Sequence, residues 1–150
     1  MKILVLFFFS LLIFSCTEAP LNGSPTQVLE NYIKISFSTT GIQDKKRMED
    51  LLTGDTKARL LSWSDEQFTK AFLEAPKKFQ GLKILENRKV SDQEVALTYE
   101  LSFNEGTKDN AAQVTQRKLC SVVNEHGSWK IKEVRSIRES IEYLKEFTLP

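Results

Sequence analysis

EVALTYELSFNEG, residues 94–106, alternates between apolar and polar side chains. Successive side chains of a β-strand point to opposite faces, so this period of two predicts a strand with one buried and one solvated face. Such a strand pairs naturally with antiparallel neighbours. The residues expected on the buried face are Val95, Leu97, Tyr99, Leu101 and Phe103.

Three further strands are predicted on either side of this one. Residues 79–90 have a less regular apolar pattern, which indicates a strand with a bulge or a bend. Residues 111–125 predict the next strand, and the turn sequence NEHG, residues 124–127, leads into SWKIKEV, residues 128–134. The last two strands should therefore form a hairpin.

Helical periodicity replaces this pattern before residue 78. SPTQ, residues 24–27, is a capping-box sequence with proline at the first helical position, and it predicts a helix that stops at Gly41. SDEQ, residues 64–67, is a second capping box, and it predicts a helix that Pro76 closes. The first half of the chain is therefore predicted to be helical.

Two shorter helical segments are predicted between those two helices. Residues 43–54 predict a short helix that ends at Gly54, and residues 55–63 predict further turns with Asp55 as their cap. The apolar residues expected to point inward from the first of these are Met48, Leu51 and Leu52.

A last helix is predicted over residues 136–147, because Ser136 and Glu139 make a third capping-box pattern. Its apolar stripe consists of Ile137, Ile141 and Leu144. Helices followed by antiparallel strands define an α+β fold. We therefore expect N-terminal helices packed on a curved antiparallel sheet of about four strands, with a C-terminal helix.

Composition sets limits on the partners. The chain has 150 residues, of which 41% are hydrophobic and 10% aromatic, enough for one domain with a real core. Lys plus Arg number 21 and Asp plus Glu number 20, so the charge balance gives no indication of nucleic-acid binding.

The amino terminus has the layout of a signal peptide. In MKILVLFFFSLLIFSC, residues 1–16, Lys2 precedes an apolar run that only Ser10 and Ser15 interrupt before Cys16. A membrane-spanning helix needs roughly 20 apolar residues, and this run is shorter.

The end of that run, Ile13 to Cys16, resembles the lipobox of bacterial lipoproteins. The resemblance implies that the Cys16 thiol is diacylglycerylated, that the chain is cut just before it, and that acyl chains, palmitate among them, anchor the protein. Thr17 rather than aspartate after the cysteine implies sorting to the periplasmic face of the outer membrane. Ordinary cleavage and a retained anchor are the alternatives.

The predicted organisation follows from this amino terminus. A lipoprotein signal peptide covers residues 1–15, the lipidated cysteine and a flexible tether cover residues 16–24, and one domain covers residues 25–150. The tether is predicted because TEAPLNGSP, residues 17–25, has no apolar period and contains proline, glycine and serine.

Helices followed by strands that end in a G-x-W-x-I hairpin resemble the nuclear transport factor 2-like superfamily, and within it small bacterial lipoproteins of unknown function. Gly127, Trp129 and Ile131 carry the likeness at the hairpin. The resemblance implies a cone of helices packed on a strongly curved sheet. It implies structural roles for Gly127 and Trp129, and no catalytic residue can be carried over.

Few residues are candidates for chemistry. His126 is the single histidine, which excludes a histidine-based metal cluster, and its place in a turn predicts an exposed, idle imidazole. Cys120 is the one thiol left after lipidation of Cys16, and its apolar neighbours predict a buried, inert side chain; an intermolecular disulfide is the alternative. The basic run at residues 45–47 predicts a solvated face rather than a headgroup contact.

These observations predict a lipid-anchored envelope protein that acts as a non-catalytic binding or assembly module, with no cofactor and no metal site. The expected partners are the membrane, through Cys16, and an envelope protein bound at the inner sheet face or the last helix. The alternatives are a carrier of a small apolar ligand and a cone-pocket enzyme, which would need a polar group inside the cone. The candidate lining residues of the cone are Tyr32, Tyr99, Leu101, Phe103 and Trp129.

Overall fold

The computed structural model describes residues 23–74, 77–107 and 111–144. Four helices precede four strands: α1 Pro25–Ser38, α2 Asp44–Glu49, α3 Gly54–Ser62, α4 Asp65–Phe72, β1 Lys77–Lys89, β2 Glu94–Glu105, β3 Ala112–Glu125 and β4 Ser128–Tyr143. The strands form one curved, unclosed antiparallel sheet in the order β1-β2-β3-β4. The predicted α+β class is confirmed.

Several sequence predictions lie outside those ranges. They are the signal peptide over residues 1–15, Cys16 and most of the tether, the closing proline at Pro76, and residues 145–147 of the predicted last helix. Within the described part of the chain, no helix combines the length and the apolar character needed to cross a bilayer.

The two longer capped helices begin where the sequence predicts. The Ser24 hydroxyl accepts a hydrogen bond of 3.1 Å from the Gln27 amide, and Pro25 occupies the first turn of α1. At α4 the Ser64 hydroxyl accepts from the Gln67 amide at 3.2 Å, and the Gln67 side chain accepts from the Ser64 amide at 2.8 Å. The Ser24 cap and the complete capping box at Ser64 satisfy amide groups that have no partner within the helix.

The start of α3 differs from the prediction. Gly54 begins this helix, with a φ of 54°, Thr53 is its N-cap, and Asp55 lies in the first turn rather than at the cap. The reason is tertiary, because the backbone of β4 holds the preceding residues extended. The Thr53 amide donates to the Ile131 carbonyl at 2.8 Å, and the Ile131 amide donates to the Leu51 carbonyl at 2.9 Å. The helix can start only after these bonds.

The predicted irregularity of β1 and the predicted hairpin are both present. The β1–β2 register shifts between Phe79 and Gly81 and again between Ile84 and Glu86. In the β3–β4 turn His126 has a φ of 52° and Gly127 a φ of 84°. Two successive positive φ angles are the requirement of the type I′ turn that matches the twist of a hairpin.

The predicted C-terminal helix is wrong for residues 136–143, which continue β4. This part of the strand pairs with β3 from Lys118, opposite Ser136, to Ala112, opposite Tyr143. The edge of β3 offers main-chain hydrogen-bond partners to residues 136–143. Pairing with this strand outweighs the local capping pattern, because strand formation depends more on neighbouring strands than on intrinsic propensity. A register shift between Arg117 and Lys118 lets Ser136 and Glu139 share one sheet face.

The sheet has an inner face, which the helices cover, and a polar outer face. Leu97, Tyr99 and Leu101 lie on the inner face with exposed fractions of 0%, 2% and 4%. On the outer face Arg117 and Glu100 form a salt bridge of 3.2 Å. The residues buried against the inner face are Val28, Leu29, Ile33, Met48, Leu60 and Phe68 of the helices, together with Leu51 and Leu52 of the α2–α3 connection.

Candidate functional site

A pocket of about 400 Å³ opens between the inner face of the sheet and helices α1, α3 and α4. We call it the inner pocket. Its volume falls in the range of small-molecule sites. Its lining consists of Tyr32, Ile33, Ser36, Phe37, Thr56, Arg59, Ala71, Phe72, Lys77, Tyr99, Leu101, Phe103, Gln116, Lys118, Val134 and Ser136.

The apolar part of the inner pocket comes from the strand on which the fold prediction rested. Tyr99, Leu101 and Phe103 of β2 line it, and the ring of Phe37 lies 5.6 Å from that of Phe103, centroid to centroid. Tyr32 of α1 lines the same space. The structure thus brings together four of the five residues that the sequence named as lining.

Trp129 does not line the inner pocket. It pairs with Asn124 beside the β3–β4 turn, where it packs against the core as a partly buried side chain. One residue of the strand separates it from Ile131, which contacts the α2–α3 connection. Its position fits the structural role that the hairpin resemblance implies, and it lies outside the lining of the inner pocket.

Cations in the inner pocket were missed by the sequence interpretation, which found no polar group inside the cone. Arg59 comes from α3, Lys77 from the start of β1, and Lys118 from the middle of β3. The described lining residues include these three cations and no aspartate or glutamate. The sequence did contain a signal for Lys118. It lies an even number of residues from Val114 and Cys120 on β3, so it points to the same inner face of the sheet.

The Lys118 ammonium is the most enclosed of these charges. Burial lowers the pKa of Lys118; the Glu139 carboxylate opposes this effect, and the Lys77 ammonium adds to it. Glu139 also accepts a short hydrogen bond from the Gln116 amide. Across the described ranges, neither Lys118 nor Arg59 forms a salt bridge. The charge of Lys118 is therefore poorly compensated by the protein.

The two tyrosines of the inner pocket are hydrogen-bond donors rather than bases. Burial raises the pKa of Tyr99 far above its ordinary value, and it also raises the pKa of Tyr32 against the opposing effect of Arg59. Both phenols therefore stay protonated at neutral pH. A protonated phenol can donate to a ligand oxygen, but it does not abstract a proton.

Cys120 and His126 lie apart from any chemistry in this pocket. Cys120 is fully buried, as predicted, and burial raises its pKa to about 12, so the reactive thiolate is scarce at neutral pH. His126 is exposed on the hairpin turn. No group of three His, Cys, Asp or Glu side chains that could hold a metal occurs in the described residues.

The basic run at residues 45–47 is held by the protein itself. The Lys45 ammonium donates to the Trp63 carbonyl at 2.6 Å, and Lys46 forms salt bridges with both Glu49 and Asp50. Arg47 donates to buried Asp44 at 2.8 Å. Hydrogen bonds from the Thr40 amide and from Arg47 lower the pKa of Asp44. These cations thus stabilise the α2 region.

No protein-family model and no curated protein matches this sequence. The site itself therefore carries the functional argument. The inner pocket combines a buried aromatic floor with three cations and with protonated phenols, an arrangement that suits binding through hydrogen bonds and charge.

Proposed function

We propose that this protein is a lipid-anchored bacterial envelope protein of the nuclear transport factor 2-like superfamily, a non-catalytic module that binds a small molecule in its inner pocket. The attachment point is Cys16, by its lipobox resemblance. The topology of helices followed by a four-stranded antiparallel meander supports the superfamily assignment. The pocket favours small-ligand binding, which the sequence analysis gave as the alternative to a module that binds an envelope protein.

The observation that carries this proposal is the inner pocket. It lies between two layers, where packing is otherwise close: Tyr99, Leu101 and Phe103 at its floor are 2%, 4% and 4% exposed. Protein interiors are generally packed to crystal-like density, so a space of about 400 Å³ lined by polar and aromatic groups is a specific feature of the fold.

The titration states of Tyr99 and Cys120 do not suit these two groups to catalysis. Burial raises the pKa of Tyr99, and it raises the pKa of fully buried Cys120 to about 12. A nucleophile or general base needs the opposite shift. Within the described lining of the pocket, burial lowers the pKa of Lys118, whose ammonium group can hold an anion or a polar ligand atom.

Native mass spectrometry of the full-length protein, extracted from its own envelope in mild detergent, tests the binding function. Wild type should carry an extra mass that disappears on denaturation. Ser136→Phe, which places a large side chain in the inner pocket, should abolish that mass, because exposed Ser136 lines the pocket on β4.

The matched control for this experiment is Ser140→Phe. Ser140 lies on the same strand but pairs with Thr115 on the outer face. This variant should retain the extra mass. Bare wild-type protein, or an extra mass that persists in Ser136→Phe, would contradict a binding role for the inner pocket.

The anchoring part of the proposal has its own test. Cys16→Ala removes the acylated sulfur, so we expect the protein to lose its acyl mass and to leave the detergent phase in phase partitioning. Cys120→Ala is the control, because Cys120 is buried in the core and should leave partitioning unchanged. Equal partitioning of Cys16→Ala and wild type would contradict lipid anchoring at this cysteine.

A further inference from the structure

We propose that the ligand of the inner pocket is a small organic anion, whose acidic group lies beside Lys118 and Lys77 and whose apolar body lies on Leu101 and Phe103. This inference rests on the proposed binding function and names the ligand class. The supporting observation is the clustering of three cations in the pocket.

Three elements distant in sequence each contribute one cation to the same space. Arg59 comes from α3, Lys77 from β1 and Lys118 from β3. The whole chain has a formal net charge of only +1, and its surface pairs acids with bases in many places. The described lining of the inner pocket has no carboxylate, although Lys77 forms a salt bridge of 3.8 Å with Glu105 outside that lining. A concave site lined by one sign of charge attracts the opposite sign.

Two of the pocket cations, Lys77 and Lys118, repel each other. Lys118 faces inward from the register position opposite Tyr99 and Ser136, and the Lys77 charge acts on it unfavourably. The Glu139 carboxylate, which partly compensates Lys118, also accepts a hydrogen bond from the Gln116 amide. An anionic group between the two ammonium groups would relieve this repulsion and form charge-assisted hydrogen bonds.

The end of the inner pocket that holds Lys77 also favours a ligand with an apolar body next to its acidic group. The Lys77 ammonium lies 5.7 Å from the centre of the Phe103 ring, so charge and aromatic surface are neighbours at this end of the pocket. Leu101 continues the apolar surface toward Tyr99. A free inorganic anion would use the cations alone, whereas an organic acid would use both surfaces.

Isothermal titration of the full-length protein in mild detergent with phenylbutyrate and with phenylbutyramide tests the inference. The two probes have the same apolar body and nearly the same shape, but only the first is an anion. Wild type should bind phenylbutyrate at least about tenfold more tightly than the amide, as expected for a charge-assisted contact. Phenyl phosphate serves as a third probe, and tighter binding of it than of phenylbutyrate would specify a phosphate as the acidic group.

Lys118→Met removes the charge and keeps most of the side-chain length. It should reduce the preference for phenylbutyrate over the amide to about twofold or less. The variant should fold, since replacing an enclosed charge by an apolar side chain is often neutral or stabilising. Arg59→Gln, at an exposed position of α3, provides a second variant and should reduce the preference in the same direction.

Lys83→Met is the matched control, because Lys83 is exposed and pairs with Glu100 on the outer face. It should bind both probes as wild type does. Equal binding of acid and amide by wild type, or an unchanged preference in Lys118→Met, would overturn the inference. Failure of all probes to bind would overturn it as well, while an extra native mass that Ser136→Phe removes would leave the proposed binding function standing.

Discussion

Phe68→Ala should lower the free energy of unfolding by about 3–5 kcal/mol, the range measured for deletion of a buried aromatic side chain. Phe68 is fully buried on α4, and its ring centroid lies 4.9 Å from that of Phe72, which in turn lies 6.0 Å from that of Trp63. Truncation would leave a cavity under this helix. For a domain of this size we expect a fall in melting temperature of roughly 10–20 °C.

Urea denaturation followed by tryptophan fluorescence measures this effect. Phe79→Ala is the matched control, because Phe79 is 45% exposed at the edge of the sheet. It should cost about 1 kcal/mol or less. Equal losses in the two variants would mean that α4 does not seal the core as described. Since α4 supplies Ala71 and Phe72 to the inner pocket, Phe68→Ala should also weaken ligand retention.

Ile131→Ala should lower the free energy of unfolding by about 2–5 kcal/mol. Ile131 is fully buried where β4 meets the α2–α3 connection, and its side chain packs in the main core cluster. Its backbone exchanges hydrogen bonds with Leu51 and Thr53. Alanine retains those backbone groups, so the loss would report the side chain and the cavity that its removal leaves.

The same strand supplies the control for this prediction. Ile141→Ala removes the same atoms at a position that is 52% exposed, and it should change the free energy of unfolding by about 1 kcal/mol or less. Denaturation of both variants at one protein concentration provides the comparison. A loss for Ile141→Ala that matches Ile131→Ala would show that this end of β4 is covered in solution.

Local signals account for the elements that the sequence predicted correctly. The capping boxes at Ser24 and Ser64 and the NEHG turn each act within four residues, so neighbours in the sequence are sufficient to specify them. The alternation of β2 indicated which of its side chains are buried, because only one face of a half-covered sheet can be apolar.

Local signals also explain the errors. The capping pattern at Ser136 and Glu139 resembles the two that form helices, yet these residues pair with Lys118 and Gln116 of β3. Asp55 was predicted as a cap because of its side chain, but the backbone bonds between Thr53 and Ile131 set the start of α3. In both cases a contact distant in sequence outweighed a preference that acts over one helical turn.

By itself, the sequence determined the helical half, the strand-rich half, the buried face of β2 and the hairpin turn, since each depends on the period of side chains or on the geometry of a few adjacent residues. Only the tertiary structure decided the length of β4 and the charge of the inner pocket. Arg59 and Lys77 lie in segments whose sequence indicates ordinary polar surface, whereas Lys118 shares a strand face with Val114 and Cys120. Strand register together with helix packing brings the three cations to one space. That convergence depends on contacts between elements, which no single stretch of the chain encodes.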